Sequence, residues 1–234
     1  MKKHQLMRRQ LLIAAVTTAL LPSEVLAGIE TKKKLDWKEF KIQVSELANA
    51  YAHGSIKSET LSEKVIKILQ MLDVSANDFK QGLDASYETG NRYWLWQRMI
   101  KQRNLNGGVL TIDNQQMVQL HDHPGATGIV RIISGEAEVW LFDEVKINKH
   151  ELGIAQLNRV SRRILRAGDI AILTPHKGNV HALKSHSKEC RMLDFFMPPY
   201  EKSQRSWFEP LTENWFDMKK ISCRKISQDA YTKA

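Results

Sequence analysis

The chain has 234 residues, of which 42% are hydrophobic and 26% charged, a balance typical of a folded soluble domain and not of a disordered chain. The formal net charge is +9, but the basic residues are scattered and cluster only in TKKK at 31–34 and SRR at 161–163. A mild excess without a basic stripe is typical of a solvated surface, so we expect no nucleic-acid binding.

Residues 1–27 are predicted to be an export signal. The segment begins with the basic stretch MKKHQLMRR, continues with an apolar run at 11–21 that is too short to span a bilayer as a helix, and ends with VLA. We expect cleavage before Gly28, a periplasmic location and no stable membrane association once the signal is removed. The paired arginines suggest twin-arginine export, and an uncleaved N-terminal anchor is the alternative reading.

Residues 28–90 are predicted to form a helical segment that packs on the rest of the chain. Three capping signals mark the starts of helices: Asp36 with Glu39, Thr60 with Glu63, and Ser75 with Asp78. Apolar residues recur at helical spacing after the first two signals. These apolar faces are most simply explained as core that packs against the second region.

Residues 91–234 contain many short runs of β-branched and aromatic residues separated by Gly, Pro, Asn or Asp, which favours an antiparallel sandwich or barrel. ISGEAEVWL at 133–141 is predicted to be a hairpin that turns at Ser134-Gly135. The hairpin would point Ala137, Val139 and Leu141 inward and Glu136 and Glu138 outward. The charged, poorly periodic segment 143–163 is predicted to be a long excursion between the two halves of the barrel.

Cys190 and Cys223 are the two cysteines of the chain. In an exported protein they could form a disulfide. They could equally be one buried thiol and one surface thiol near the C-terminus, and the sequence leaves both possibilities open.

Three histidines form a candidate metal site. In LHDHPG at 120–125, His121 and His123 are spaced so that a strand places both rings on one face, about 7 Å apart, with Asp122 on the other face. Two surface histidines are the alternative. GDIAILTPHKGNVHAL at 168–183 adds His181 at the start of a later strand, and a small barrel can bring the three rings together. Three ligands leave coordination positions open, as in catalytic metal sites.

The order of these motifs resembles the cupin superfamily, whose pattern is H-x-H, a glutamate, a glycine seven residues later, and then G…P-x-G-x-x-H. The residues that match this framework are Gly135, Gly168, Pro175, Gly178 and His181, with one extra residue before Pro175 and another before Gly178. The glutamate position falls on Gly128. The resemblance implies a mainly β, cupin-type double-stranded β-helix (jelly-roll) barrel at 91–234 with an N-terminal helical extension, and a site without a carboxylate ligand.

HDHPG, LTP followed by GNVH, and LDFFMPPY also resemble the cysteamine dioxygenase and plant cysteine oxidase family, over about residues 91–205. Membership would make His121, His123 and His181 the ligands of Fe(II). It would place Asp194 and Tyr200, from the D…PPY segment, at the substrate pocket as catalytic residues. The implied activity is a thiol dioxygenase that uses a small aminothiol or cysteine-like thiol and O2, and gives a sulfinic acid. We expect a monomer.

The ligand set explains why this chemistry suits the site. Neutral imidazoles leave the full +2 charge on the ion, which lowers the pKa of an incoming thiol and favours the thiolate. Two alternatives remain at this stage: a three-histidine cupin oxygenase that acts on a non-thiol small molecule, and a non-catalytic periplasmic cupin that binds metal or a small ligand.

Overall fold

The structure, a computed structural model, describes residues 34–90, 94–145, 153–199 and 204–227. The predicted export signal and Tyr200 lie outside these residues. Within the described part of the chain, no helix is both long and apolar enough to cross a membrane.

Three helices precede the strands, and their bounds are α1 Trp37–Ala52, α2 Ser58–Met71 and α3 Asn77–Asp84. The predicted cap of α1 is confirmed, because the Asp36 carboxylate accepts a hydrogen bond from the Glu39 backbone N–H at 2.7 Å. Caps from Thr60 and Ser75 are wrong, since α2 and α3 follow Lys57 and Ala76, neither of which caps through its side chain.

Asp78 explains why the third capping signal misled. Its carboxylate accepts a hydrogen bond from the Lys38 backbone N–H at 3.0 Å, so it serves the first turn of α1 and not its own helix. Tertiary contacts therefore override the local pattern at this position. The contact also ties α3 to the start of α1.

Twelve strands lie within the described ranges: β1 Tyr87–Gly90, β2 Trp94–Lys101, β3 Asn106–Asp113, β4 Met117–His121, β5 Thr127–Ser134, β6 Glu136–Glu144, β7 Ile154–Arg166, β8 Ile170–Leu173, β9 Val180–Ser185, β10 Glu189–Met197, β11 Trp207–Pro210 and β12 Lys220–Ile226. The first sheet has the order β1-β2-β3-β10-β5-β8. The second has the order β11-β12-β7-β6-β9-β4 and closes on itself where Trp207 pairs with His121.

The two sheets enclose a common apolar core, which includes Ile112, Val118, Ile132, Leu183 and Met192. This is a double-stranded β-helix with helices at its N-terminal side, so the predicted fold class is confirmed. The second sheet also curls around a separate core that contains Trp140, Phe142 and Trp215.

The helices cover the outer face of the first sheet. Phe40 of α1 lies 5.5 Å from Phe195 of β10, measured between ring centroids, and both side chains are fully buried. Gly107 of β3 makes room for this ring, because a Cβ there would lie 2.1 Å from the Phe195 ring. Arg131 of β5 donates to the carbonyl oxygens of Leu69 and Leu72 at the end of α2. The helical extension is thus packed and hydrogen-bonded onto the barrel.

The predicted hairpin at Ser134-Gly135 is wrong. β5 pairs with β10 and β8, whereas β6 pairs with β7 and β9, so Gly135 carries the chain from one sheet to the other. Its φ of +78° favours glycine, and a Cβ would lie 2.4 Å from the Glu189 carbonyl oxygen.

The inward-pointing side chains of β6 were predicted correctly, but the outward-pointing Glu138 is not exposed as predicted. Ala137 and Val139 point into the core between the sheets. Glu138 points the other way but is only 8% exposed, because the second sheet curls over that face. Its carboxylate accepts from Arg162 Nε at 2.5 Å, which compensates for its removal from water.

The predicted excursion at 143–163 is also wrong over nearly all of the part that the structure describes, since residues 154–163 belong to the 13-residue strand β7 and residues 143–144 end β6. Only Ala155, Leu157 and Leu165 of this strand are buried. A strand with so few buried positions has a weak alternation of apolar and polar residues. Its charged sequence was therefore interpreted as a loop.

Both cysteines are buried and free, so the disulfide does not form in this structure. Cys190 lies in the core between the sheets and Cys223 in the second core, which rules out the surface thiol. Burial raises the pKa of Cys190 to about 11 and that of Cys223 to about 12. Both thiols are therefore protonated and unreactive at neutral pH.

Candidate metal centre

The three predicted histidines meet at one end of the second sheet. His121 ends β4, His123 follows it, and His181 of β9 is the register partner of His121. One potential ligand atom from each residue lies within 4.8 Å of those of the other two. The H-x-H spacing places two rings on one face, and strand pairing supplies the third directly opposite.

All three rings are buried, with exposed fractions of 4%, 1% and 3% for His121, His123 and His181. Burial is the main cause that holds the pKa of His121 and of His123 well below the ordinary 6.5 and lowers that of His181 to about 4. The three imidazoles are therefore neutral at pH 7, which is the form that binds a metal.

Backbone carbonyls fix the tautomer of two rings. His121 Nδ1 lies 2.7 Å from the Gln119 carbonyl oxygen, and His181 Nδ1 lies 3.1 Å from that of Asn179. Because a carbonyl only accepts, Nδ1 carries the proton in both residues. The Nε2 lone pairs are left for a metal ion, which is the outer hydrogen-bond arrangement typical of ligating histidines.

Asn179 positions the other ligand as well. Its side-chain oxygen accepts from the His123 backbone N–H at 2.8 Å, and its amide nitrogen donates to the His123 carbonyl oxygen at 3.1 Å. A second donation, at 3.2 Å, reaches the Thr174 carbonyl oxygen. One residue thus links the segment that carries His123 to the strand that carries His181.

Asp122 points away from the two histidines that flank it, as the alternation of a strand requires. Its carboxylate accepts from the Ser206 backbone N–H at 2.7 Å, and its own N–H donates to the Ser206 carbonyl oxygen at 3.1 Å. This pairing holds the segment around Arg205 and Trp207 beside the site. The ring of Trp207 lies 4.8 Å from that of His121.

The site has no carboxylate among its clustered donors in the part of the chain that the structure describes. Gly128, at the position where the cupin pattern has glutamate, pairs with Phe196 and Leu173 in neighbouring strands. A Cβ at Gly128 would lie 2.7 Å from Leu173 Cδ1. A larger side chain at this position would therefore require the Leu173 side chain to move.

The donor set fits one divalent transition metal. Three neutral imidazoles suit iron, zinc, copper or nickel, so the ligands alone do not select among them. The close spacing and burial of the three rings and the fixed tautomers of His121 and His181 all favour coordination of one ion by the three residues.

A pocket of about 80 Å³ opens beside the three histidines. Its remaining walls are mostly aromatic and apolar, with a few polar groups: Thr89, Trp94, Trp96, Asn106, Leu110, Val118, Leu183, Asp194, Phe196, Arg205 and Trp207. Asp194 is 9% exposed, and burial raises its pKa to about 7 against the lowering effect of Arg205.

The structure places four of the five predicted site residues together, since Asp194 lines the same pocket as the three histidines. Tyr200 lies outside the described residues. Sequence reasoning missed Asn179, Arg205 and Trp207. Asn179 stood inside the GNVH motif that was used for the resemblance, whereas no pattern pointed to the other two.

The comparison with known proteins agrees with the family resemblance seen in the sequence. The family model PCO_ADO matches residues 71–226. A 2-aminoethanethiol dioxygenase from Mus musculus is 26% identical over 113 residues, which cover 40% of this chain and 44% of that protein. A probable 2-aminoethanethiol dioxygenase from Dictyostelium discoideum is 25% identical, with 45% and 49% covered. The alignments thus span less than half of these relatives.

Solved structures similar to this chain include a conserved protein with a double-stranded β-helix domain from Klebsiella pneumoniae, at 20% identity and a TM-score of 0.38, with 50% of this chain and 86% of that chain covered. A cupin superfamily protein from Desulfitobacterium hafniense has 14% identity and a TM-score of 0.35, with 48% and 84% covered. Similarity this weak carries no information about activity.

Proposed function

Because the chain belongs to the PCO_ADO family, the cysteamine dioxygenase and plant cysteine oxidase family that its motifs resemble, we propose that it is a non-haem Fe(II) thiol dioxygenase. Its substrates would be O2 and a small aminothiol or cysteine-like thiol, and its product a sulfinic acid. The observation that carries the proposal is a buried group of three neutral histidines, with no acidic ligand among the residues that the structure describes, beside a pocket of suitable size.

The ligand set supports thiol chemistry. Ferrous iron bound there would supply the redox chemistry that joins both atoms of O2 to the sulfur. The three imidazoles add no negative charge of their own, so a divalent ion held by them would keep its full positive charge. The site would then favour an anionic sulfur over a neutral thiol. Arg205 adds a further positive charge at the pocket wall, which acts in the same direction.

The other walls of the pocket bind and orient the thiol. Trp94, Trp96, Phe196 and Trp207 exclude water from the reacting sulfur. Asp194 anchors the substrate amine, because an ammonium group would hold this buried carboxyl in its ionised form. Holding the thiol and O2 together in one site would make their reaction effectively intramolecular.

The test is an aerobic assay of the protein loaded with Fe(II). Cysteamine, cysteine and a peptide with an N-terminal cysteine are supplied separately, and oxygen uptake is followed together with sulfinate formation by mass spectrometry. We expect consumption of one O2 for each sulfinate formed. Oxygen uptake with a diketone but with no thiol would contradict the proposal, as would metal binding without any turnover.

We also propose that residues 1–27 direct export to the periplasm. The basic start, the apolar run at 11–21 and the small residues before Gly28 support this. N-terminal sequencing of the protein recovered from a periplasmic fraction is expected to begin at Gly28. A chain recovered only from the cytoplasm with its first residues intact would contradict the proposal.

A further inference from the structure

Asn106 brings an unpaired acceptor into the pocket. It begins β3, its register partner is Phe196 of β10, and both residues line the cavity. The side-chain oxygen Oδ1 of Asn106 is buried and has no hydrogen-bond partner. A buried amide oxygen without a donor is rare in folded proteins, because its removal from water carries a cost that a hydrogen bond normally compensates. The position of this oxygen therefore points to a ligand that supplies a donor.

Asp194 presents a second acceptor of the same kind. Its side chain is 9% exposed and lines the same cavity, and its Oδ1 is likewise buried without a hydrogen-bond partner. Asp194 lies two residues before Phe196 on the same face of β10, so Asn106 and Asp194 are diagonal neighbours across the β3–β10 pair. The direct register partner of Asp194 is Gly108, which contributes no side chain to this face. The two oxygens therefore belong to one wall of the pocket.

Two neighbouring acceptors, one of them a carboxyl oxygen, fit a cationic group with several N–H donors. Burial raises the pKa of Asp194 and Arg205 in the same pocket opposes this, yet no hydrogen bond reaches Oδ1 of the carboxyl. A primary ammonium group has three N–H donors and can satisfy both oxygens at once, whereas a tertiary ammonium group has the same charge but a single donor. The number of donors, and not the charge, therefore distinguishes these two groups at this wall.

We propose that Asn106 and Asp194 together bind the amine end of the thiol substrate, with one N–H donated to Oδ1 of each, so that the site accepts primary and secondary ammonium groups and discriminates against tertiary ones. This assignment rests on the proposed thiol dioxygenase function. It adds Asn106, which no sequence motif singled out, as a specificity-determining residue. It also adds the number of N–H donors on the amine as the property that the site selects.

The test measures binding without turnover. Thiols are titrated into the Fe(II) protein under strict exclusion of oxygen and followed by calorimetry. The ligands are cysteamine, its N-methyl derivative and its N,N-dimethyl derivative, whose ammonium groups carry the same charge but successively fewer N–H donors. Because the dimethyl compound leaves one buried oxygen without a donor, we expect it to bind roughly 10- to 100-fold more weakly than cysteamine. The N-methyl compound should bind nearly as tightly as cysteamine, since its remaining donors still satisfy both oxygens.

Two variants assign the preference to Asn106. Asn106→Leu has a similar size but no acceptor, and it is expected to lower the ratio of cysteamine to dimethyl affinity by about tenfold or more. Asn106→Asp keeps an accepting oxygen and should keep the wild-type ratio or raise it. Asn158→Leu, at an exposed position of β7 outside the pocket lining, is the matched control and should keep the wild-type ratio. A ratio is used because a general loss of folding in a variant would weaken both ligands alike.

Two results in the wild type would overturn this assignment: equal affinity for the three ligands, or an equal loss of affinity with each methyl group, which would indicate selection by size. Two results in the variants would also overturn it: an unchanged ratio in Asn106→Leu, or a ratio in Asn106→Asp as low as in Asn106→Leu. In each case sulfinate formation from any thiol would leave the proposed function standing. If the wild type neither bound nor oxidised any thiol, both the function and this assignment would be wrong.

Discussion

The two sheets contribute different parts of the pocket. The second sheet supplies His121 and His181, whose rings are oriented by backbone carbonyls close in sequence. The first sheet supplies Trp96, Asp194 and Phe196, whose positions depend on packing against distant elements. The rings of His121 and His181 are thus oriented by local hydrogen bonds, with Asn179 as a long-range link to His123. The wall that would hold the substrate depends instead on long-range strand pairing. Substitutions on the metal wall, formed by the three histidines, should therefore lower metal affinity, whereas substitutions behind the substrate wall should lower the stability of the fold.

The largest effect is expected from His181→Ala, on the metal wall. Loss of an outer hydrogen-bond partner alone commonly weakens metal binding 10- to 100-fold, so loss of a ligand should weaken it by more than about 100-fold. Metal titration of the purified protein measures this. His176→Ala, at an exposed position in the turn before β9, is the control and should bind metal like the wild type. Equal metal affinity in the two variants would contradict the assignment of His181.

Phe195→Ala tests the support behind the substrate wall. This fully buried ring packs on Phe40 of α1, and its removal should lower the free energy of unfolding by about 3–5 kcal/mol. Urea unfolding measures the loss. Metal affinity of the folded fraction should change far less than in His181→Ala. If Phe195→Ala abolished metal binding while the protein stayed folded, the division between the two walls would be wrong.

The pH dependence of the free energy of unfolding of the metal-free protein distinguishes the histidines of the metal wall from Asp194 of the substrate wall. Burial lowers the pKa of His181 to about 4, so as the pH falls the unfolded chain takes up this proton first, near 6.5, and stability is lost from about pH 6.5 toward pH 4. His181 alone should account for about 2 kcal/mol between pH 6.5 and 5. The other two histidines shift in the same direction.

Asp194 acts in the opposite sense in that window, because burial raises its pKa to about 7 and the folded state takes up its proton first. Burial raises the pKa of Asp122 in the same direction, so two carboxyls oppose three imidazoles, and urea unfolding should show lower stability at pH 5 than at pH 7. His181→Gln should make the dependence shallower. Higher stability at pH 5 would show that the histidines are not buried in their neutral form.

The smallest effect is expected from Asn179→Ala, which removes the link between two ligands and leaves the ligands themselves. We expect metal binding about 10- to 100-fold weaker than in the wild type. Asn158→Ala, at an exposed position of β7, serves as the control in the same metal titration. An Asn179 variant indistinguishable from that control would mean that the carbonyl contacts alone orient the rings.

The sequence predicted the metal wall better than the substrate wall for a physical reason. The H-x-H spacing and the Gly and Pro positions around His181 are local patterns, and strand alternation turns them into a shared face. Asp194 was found through a family motif, whereas Arg205 lies in no pattern and reaches the pocket only through the pairing of Ser206 with Asp122.

The errors in the fold have the same origin. Nothing local distinguishes a turn at Gly135 that pairs β5 with β6 from one that passes between sheets, because the choice depends on where Glu189 and β10 lie. Glu138 was expected at the surface because the curl of the second sheet is a tertiary feature. Its ion pair with the partly exposed Arg162 is the consequence.

A crystal structure of the Fe(II)-loaded protein tests the central claim most directly, with iron located by its anomalous scattering. The account predicts one iron bonded to a ring nitrogen of each of His121, His123 and His181, with only water or small exogenous molecules at its other positions. Rings turned away from one another, or a carboxylate such as that of Asp194 bonded to the metal, would contradict it.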